Sequence, residues 1–121
     1  MKKAKKQFGQ KSEALAATFL EDKGYTIITT NWHCAMGELD IVAKKDGVLV
    51  FVEVKARHSH TTETAFASIN NAKRKKLYNT VMTYLAHYDL EDVAWRIDVI
   101  AIAVPRNGRP IVDHVEDAFD W

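Results

Sequence analysis

Hydrophobic and polar positions in the middle of the chain predict a β-hairpin. Residues 48–55 carry valine at every even position and large apolar residues at positions 49 and 51, so this stretch is apolar on both sides for most of its length. A strand of that kind belongs in the middle of a sheet. Asp46 and Gly47 separate it from residues 38–45, and Asp-Gly suits a two-residue turn whose central residues need positive φ.

In the rest of the chain, segments whose apolar residues recur at helical spacing alternate with segments rich in β-branched residues, which are typical of strands. Gly24 is a predicted helix stop, and Asn70-Asn71 predicts an interruption in the second helix. The predicted elements are helices over about 9–23 and 65–87, and strands over 25–32, 38–45, 48–55, 93–104 and 111–115. A helix between the third and fourth strands favours a crossover that joins parallel neighbours. The order αβββαβ, with a short strand at the end, predicts an α/β fold with helices flanking a central mixed sheet.

Composition limits the domain organisation and the location. The 121 residues are 47% hydrophobic, which predicts one domain over 9–121, preceded by a flexible basic tail over 1–8. Cys34 is alone, so the sequence offers no disulfide framework. We find no apolar run that predicts a membrane span or a signal segment, and we therefore expect a cytoplasmic protein without a membrane partner.

The predicted hairpin register brings four charged residues together. If Lys45 pairs with Val48, then Asp40 falls opposite Glu53 and Glu38 falls opposite Lys55. Side chains alternate along a strand, so these four lie on one face of the sheet. Asp40 and Glu53 would then hold two carboxylates about 5 Å apart.

Two adjacent carboxylates need a compensating charge. At an effective dielectric of 20 the repulsion between Asp40 and Glu53 would be roughly 3 kcal/mol, and less in full contact with water. Mg²⁺ or Mn²⁺ would turn this repulsion into coordination, since hard cations take carboxylates together with substrate phosphates and water. Lys55, on the same face, would stabilise charge that develops during phosphodiester hydrolysis. The alternative is an ordinary cross-strand pair at the surface, because the pattern D…ExK is short.

Glu13 begins the apolar stripe of the first helix. Ala16, Ala17 and Leu20 follow it at helical spacing, so its carboxylate would face the sheet and reach the hairpin acids. An acid in the first turn of a helix is also favoured by the helix dipole and can simply point to water. Both interpretations remain open at this point.

Besides the basic tail, the chain has a cluster of basic residues in the predicted second helix, and it consists of Lys73, Arg74, Lys75 and Lys76. A run of cations is usually a solvated face. It also supplies sequence-independent affinity for nucleic-acid phosphates through counterion release. The net charge of +1 by itself favours no partner.

Several segments together carry a family resemblance, and they are Gly9, Glu13, Gly24-Tyr25, Asn31-Trp32, Gly37-Glu38-Leu39-Asp40, Glu53-Val54-Lys55, Lys73 and Arg96-Ile97-Asp98-Val99. This combination resembles the bacterial YraN family of uncharacterised proteins, and the likeness covers nearly the whole chain. That family is similar to archaeal Holliday-junction resolvases and to the PD-(D/E)xK nuclease superfamily. The resemblance implies a restriction-endonuclease-like core.

The resemblance also implies residue roles. It makes Asp40 and Glu53 metal ligands, Lys55 the catalytic lysine and Glu13 an acid that resolvase-like members add to the site. Glu38 matches the acid of the GExD segment, where a salt bridge to Lys55 and a further metal ligand both fit. The chain departs from the family in the region before GExD, where His33 and Ala35 stand at positions that often carry arginine.

The sequence therefore favours an endonuclease that uses Mg²⁺ or Mn²⁺ to hydrolyse phosphodiester bonds of DNA, at branched or otherwise non-standard positions. The basic tail and residues 73–76 would contact the backbone phosphates. The alternative function is a nucleic-acid-binding or protein-interaction module that keeps the nuclease fold without turnover. A homodimer is compatible with the resemblance, but nothing in the sequence marks an interface.

Overall fold

The computed structural model of the chain describes residues 2–119. Helices occupy three segments and strands occupy five, with bounds close to those expected from the sequence. The helices are α1 (Lys2–Asp22), α2 (Glu63–Ala67) and α3 (Asn71–His87), and the strands are β1 (Thr26–Cys34), β2 (Gly37–Lys45), β3 (Val48–Arg57), β4 (Trp95–Ala103) and β5 (Ile111–Val115). None of the helices within residues 2–119 is long and apolar enough to span a membrane.

The five strands form one mixed sheet in the order β1-β2-β3-β4-β5. Neighbouring strands are antiparallel except for β3 and β4, which run parallel and are joined through α2 and α3. The predicted central position of β3 and the predicted parallel crossover are both confirmed. This α/β architecture, with helices flanking a mixed sheet, is consistent with a restriction-endonuclease-like core.

The hairpin between β2 and β3 has the predicted turn and register. Asp46 and Gly47 have φ angles of 52° and 77°, as a tight hairpin turn requires. Pairing runs from Lys45–Val48 to Ile41–Val52 without a shift. The alternation along the first residues of β3 therefore carries forward to Glu53 and Lys55.

The two faces of the sheet are covered by different helices, and each face has its own apolar cluster. The even-numbered valines of β3 pack with Ala16 and Leu20 of α1. Leu49 and Phe51 of β3 pack with Leu77 and other apolar residues of α3. Glu53 and Lys55 follow Leu49 and Phe51 at alternate positions of β3, so their side chains lie on the α3 face of the sheet.

The helices differ from the prediction at the start of α1. Helix α1 begins at Lys2 rather than near residue 9, so residues 2–8, expected as a tail, are helical. The predicted interruption of the second helical segment is confirmed, because Asn70 caps α3 and accepts a hydrogen bond from the Lys73 N–H. This cap fixes the start of the helix that carries the basic cluster.

A buried polar network lies under α1, away from the hairpin acids. Asp98 is fully buried and pairs with Arg96 and with His114 at 2.9 and 2.8 Å. Burial alone would raise the pKa of Asp98, but the hydrogen bonds from His114 and Arg96 outweigh it and hold this pKa below its ordinary value. Asp98 is thus an ionised structural residue that anchors β5 to β4.

Candidate metal centre

The site begins where the hairpin strands separate. Hydrogen-bonded pairing of β2 with β3 ends at Ile41–Val52, so Asp40 lies one residue beyond the last pair. Its Oδ2 atom accepts a hydrogen bond from the backbone N–H of Val54 at 2.8 Å. The Asp40 side chain thus takes the place of a β2 backbone carbonyl as the acceptor for an N–H of β3, and this bond holds its carboxylate beside the end of the central strand.

Glu53 lies next to Asp40, and its side chain is only 15% exposed. Burial, and then the charge of Asp40 with a hydrogen bond between the two carboxyl groups, raise the pKa of Glu53 to about 9. The amine of Lys55, 3.6 Å from Glu53 Oε1, lowers the pKa but does not offset those effects. At neutral pH Glu53 therefore holds a proton beside Asp40.

Two further acids approach Asp40 from the other side. One carboxylate oxygen from each of Glu13, Glu38 and Asp40 lies within 4.8 Å of the others, a spacing at which three oxygens could share one ion. Burial and then the charge of Asp40 raise the pKa of Glu13. Helix α1 therefore does present Glu13 to the hairpin acids, and Asp40 stands between Glu13 and Glu38 on one side and Glu53 on the other.

Asn31 also belongs to this site, although the sequence analysis assigned it no role. A hydrogen bond from its side chain to Glu13 lowers the pKa of that acid. The backbone of Asn31 is left-handed, with φ of 53°, between the register pairs Thr30–Ile41 and Trp32–Leu39. Asparagine tolerates this conformation better than most residues, and the sequence pattern of a strand gives no sign of it.

Glu38 does not bind Lys55. The β2–β3 ladder ends before it would bring the two residues together, and Glu38 instead pairs with His33 across the β1–β2 ladder. The carboxylate lies 3.8 Å from the His33 ring. The Lys55 amine lies beside Glu53 instead, 3.6 Å from its Oε1 atom. Of the two alternatives left open for Glu38, the salt bridge to Lys55 is not formed, and the other, a further metal ligand, stays a prediction; Glu38 lies beside Asp40.

A cleft of about 290 Å³ contains the predicted hairpin residues together with part of α3, and we call it the α3 cleft. Its lining residues are Glu38, Asp40, Glu53, Lys55, Ile69, Lys73, Lys76, Leu77 and Thr80. All four charged hairpin residues thus line the same cleft. The α3 cleft thus has acids on its sheet side and two lysines on its helix side.

The basic residues of α3 fall into different environments. Lys73 and Lys76 line the α3 cleft, and the Lys73 amine donates to the Ser68 carbonyl at 3.1 Å. Lys75 is exposed outside it. The Arg74 guanidinium is half-buried and lies 4.7 Å from the centre of the Phe119 ring. Arg74 therefore packs partly against the protein, and its predicted contact with a nucleic acid stays a prediction.

Gly37 allows the start of β2 to approach α3. Its φ is 155°, and a Cβ atom there would lie 2.7 Å from Thr80 Oγ1 and 3.3 Å from the side chain of Lys76. Any larger residue would push α3 away from the sheet. The glycine in the sequence indicates that the backbone approaches something closely at this point. Only the fold shows that the neighbour is helix α3.

The fold and the site together define a small α/β domain whose acidic centre lies at the end of the central strand, under a basic helix. Residues 12–102 match the model of a family described as Uncharacterised protein family UPF0102. The chain belongs to this family, which confirms the predicted YraN resemblance.

Relatives in the family are similar over nearly their whole length. A UPF0102 protein of Roseiflexus castenholzii is 41% identical over 94% of this chain and 94% of its own. One of Chloroflexus aurantiacus is 45% identical over 92% of this chain and 91% of its own. One of Myxococcus xanthus is 37% identical, with coverage of 96% and 91%.

Proposed function

We propose that this protein is an endonuclease that uses Mg²⁺ or Mn²⁺ to hydrolyse phosphodiester bonds of DNA, at branched or otherwise non-standard positions. The observation that supports this most strongly is the contact between the carboxyl groups of Asp40 and Glu53, with the Lys55 amine 3.6 Å from Glu53. The resemblance to the PD-(D/E)xK nucleases supports the same function. Such an enzyme would act in the cytoplasm, where bacterial DNA is accessible.

The donor set fits a hard divalent cation. Carboxylate oxygens are the ligands that Mg²⁺ and Mn²⁺ prefer. Burial, and then the charge of Asp40, raise the pKa of Glu53 despite the nearby Lys55 amine, so the pair holds a proton where a cation could supply positive charge. A bound cation would supply that charge and release the proton from Glu53. Asp40 and Glu53 would hold the ion, and Glu38 is a further ligand candidate.

The cation, when bound, would polarise a phosphoryl oxygen and lower the pKa of water. Residues of this chain would stabilise the developing charge, transfer protons and hold the metal ligands in place. Lys55 would neutralise negative charge that develops on the phosphate oxygens. Glu13, whose pKa is raised by burial and by Asp40, is suited to accept or return a proton at its carboxylate. Asp40 would be kept in place by its hydrogen bond from Val54.

The helix side of the α3 cleft supports binding of a polyanion. Lys73 and Lys76 face the hairpin acids across the cleft, so a phosphate between them would meet cations on one side and the metal ligands on the other. Such contacts give affinity without reading the base sequence. Their position close to the acids supports a phosphodiester as the reacting group.

The direct test is a cleavage assay with single-stranded, duplex, flap and four-way DNA in Mg²⁺ and in Mn²⁺. Asp40→Asn should abolish cleavage. Asp46→Asn is the matched control, because it makes the same chemical change at the hairpin turn, where asparagine tolerates positive φ. It should cleave like the wild type. Binding without cleavage by the wild type, unaffected by Asp40→Asn, would instead identify a nucleic-acid-binding module that keeps the fold.

A further inference from the structure

A second cleft, of about 610 Å³, lies on the other side of Lys55, between the first half of α1 and the end of β3. We call it the α1 cleft. Residues that line it include Lys5, Phe8, Glu13, Lys55, Arg57 and His58. Lys55 lines both clefts, and Glu13 connects the α1 cleft to the acidic cluster. A strand whose phosphate binds at the acids would therefore continue into this space.

Two stacked rings stand in the α1 cleft. The rings of Phe8 and His58 are 4.4 Å apart between centroids, with planes inclined by 27°. Phe8 is half-buried and packs against the apolar cluster under α1, whereas His58, directly after β3, is exposed. The stack is therefore held by the core at one ring and accessible at the other.

The charges around this stack are mostly positive. Lys5 and Arg57 are exposed beside it, and Arg57 is held by a hydrogen bond from its Nη1 atom to the Ala56 carbonyl at 2.7 Å. Glu13 is the one acid among the lining residues, and it belongs to the acidic cluster. Aromatic rings between basic side chains are the combination with which proteins bind unpaired nucleic-acid strands.

We propose that the α1 cleft binds the nucleotide next to the scissile phosphate, with its unpaired base stacked on the exposed face of the His58 ring, which Phe8 supports from the other side. His58 lies three positions after Lys55 on nearly extended chain, so their Cα atoms are roughly 10 Å apart, which is comparable to the span of one nucleotide from its phosphate to its base. The volume of the cleft is within the range of small-molecule sites.

This inference rests on the proposed function and makes its substrate class more specific. A base inside a duplex is stacked on its neighbours and cannot reach the His58 ring unless it leaves the helix. The preferred substrates are therefore flaps, junctions and single strands that offer an unpaired nucleotide at the cleavage point. A continuous duplex would use only the phosphate contacts.

The test measures binding of fluorescent DNA to the full chain, with Ca²⁺ in place of Mg²⁺ so that cleavage does not interfere. The probes are a single strand containing 2-aminopurine, a flap and a continuous duplex. His58→Ala should weaken binding of the single strand and the flap by about 5- to 150-fold, and remove the quenching of 2-aminopurine. Binding of the duplex should be nearly unchanged.

Two further variants separate stacking from other roles of the histidine. His58→Phe keeps an aromatic ring without the ring nitrogens and should bind like the wild type. His60→Ala removes another exposed histidine of the same loop and should also bind like the wild type. Equal binding by His58→Ala and His60→Ala would overturn the inference, as would a His58→Phe variant as weak as His58→Ala.

The outcomes distinguish this inference from the proposed function. If the wild type binds none of the probes, both are wrong. If the wild type cleaves DNA in an Asp40-dependent way and His58→Ala changes no binding, only the stacking site is wrong. If His58→Ala loses base stacking but the wild type cleaves no DNA, the base-binding site is supported and the proposed endonuclease activity is wrong.

Discussion

The Oδ2 atom of Asp40 accepts a hydrogen bond from the Val54 N–H at 2.8 Å, directly after the last backbone pair of the hairpin. This bond links β2 to the central strand through a side chain. It also fixes one carboxylate against Glu53, the residue before Val54, without any contribution from a ligand. The acidic pair is thus part of the folded hairpin, and the energetic cost of holding two acids together is present before a cation binds.

That cost predicts an unusual dependence of stability on pH. In the folded chain without metal, Glu53 keeps its proton up to a pKa of about 9, whereas in the unfolded chain it ionises near 4.5. The unfolded state therefore binds fewer protons between these values, and the free energy of unfolding falls as pH rises through this range. Glu53→Gln cannot ionise and should be more stable than the wild type in EDTA at pH 8.

The difference should be a few kcal/mol at pH 8, with an upper bound of about 5 kcal/mol, and should shrink toward pH 4.5. Thermal unfolding at several pH values measures it as a shift of several degrees. Added Mn²⁺ should raise the melting temperature of the wild type and leave Glu53→Gln nearly unchanged. Glu91→Gln, at an exposed acid, is the control. If the melting temperatures of the wild type and Glu53→Gln changed in the same way across this pH range, the raised pKa assigned to Glu53 would be contradicted.

Lys55 should contribute to the reaction more than to binding. Its amine lies beside Glu53, so Lys55→Ala removes the positive charge that the proposed function places next to the scissile phosphate. We expect cleavage to slow by about 10²- to 10³-fold, while DNA affinity falls only slightly. Lys75→Ala, outside the α3 cleft on an exposed face, should cleave normally. If both lysine variants lost the same amount of activity, Lys55 would have no special role.

The lysines of α3 should determine how steeply DNA binding depends on salt. Lys73 and Lys76 line the α3 cleft, whereas Lys75 does not. Alanine at position 73 or 76 should reduce the slope of log affinity against log salt by roughly 0.7–0.9 per phosphate contact. Binding titrations at four salt concentrations measure this slope. Lys75→Ala should leave it unchanged, and an equal reduction in all three variants would indicate a diffuse charge effect.

Gly37→Ala should loosen the α3 cleft. The added Cβ would lie 2.7 Å from Thr80 Oγ1, and the φ of 155° disfavours any side chain. We expect a loss of about 1–3 kcal/mol in the free energy of unfolding, measured by urea denaturation. Thr80→Ala in the same chain removes the clashing atom and should restore part of the loss.

Gly9→Ala is the matched control for this steric argument. A Cβ at Gly9 meets nothing within 4 Å, and the residue lies in the middle of α1. Alanine there should stabilise the chain by about 0.5–1 kcal/mol. If alanine at positions 9 and 37 had the same effect, the contact between Gly37 and Thr80 would not matter for packing.

Much of the fold could be predicted because its signals are local. The Asp46-Gly47 turn fixes the register of the hairpin, and β-branched apolar residues on both faces place β3 in the centre. The start of α1 was predicted too late, since the lysine-rich segment before residue 9 lacks apolar periodicity. A helix without that pattern cannot be distinguished from a tail by sequence alone.

The site was predictable only in part, for the same reason. Asp40, Glu53 and Lys55 follow from a register that a turn determines. The role of Asn31 could not be predicted from that register, because it depends on a left-handed backbone opposite Asp40. Arg74 could not be separated from its lysine neighbours, because its contact with Phe119 joins residues far apart in the chain.

The central claim is that Asp40 and Glu53 share one divalent cation. The most direct measurement is an NMR titration of the ¹⁵N-labelled chain with Mn²⁺, which broadens resonances close to the bound ion. The account predicts that the amides of residues 40 and 53–55 broaden first in the wild type, and that Asp40→Asn removes this effect while Asp46→Asn keeps it. Broadening that begins elsewhere, or that is the same in the wild type and Asp40→Asn, would contradict it.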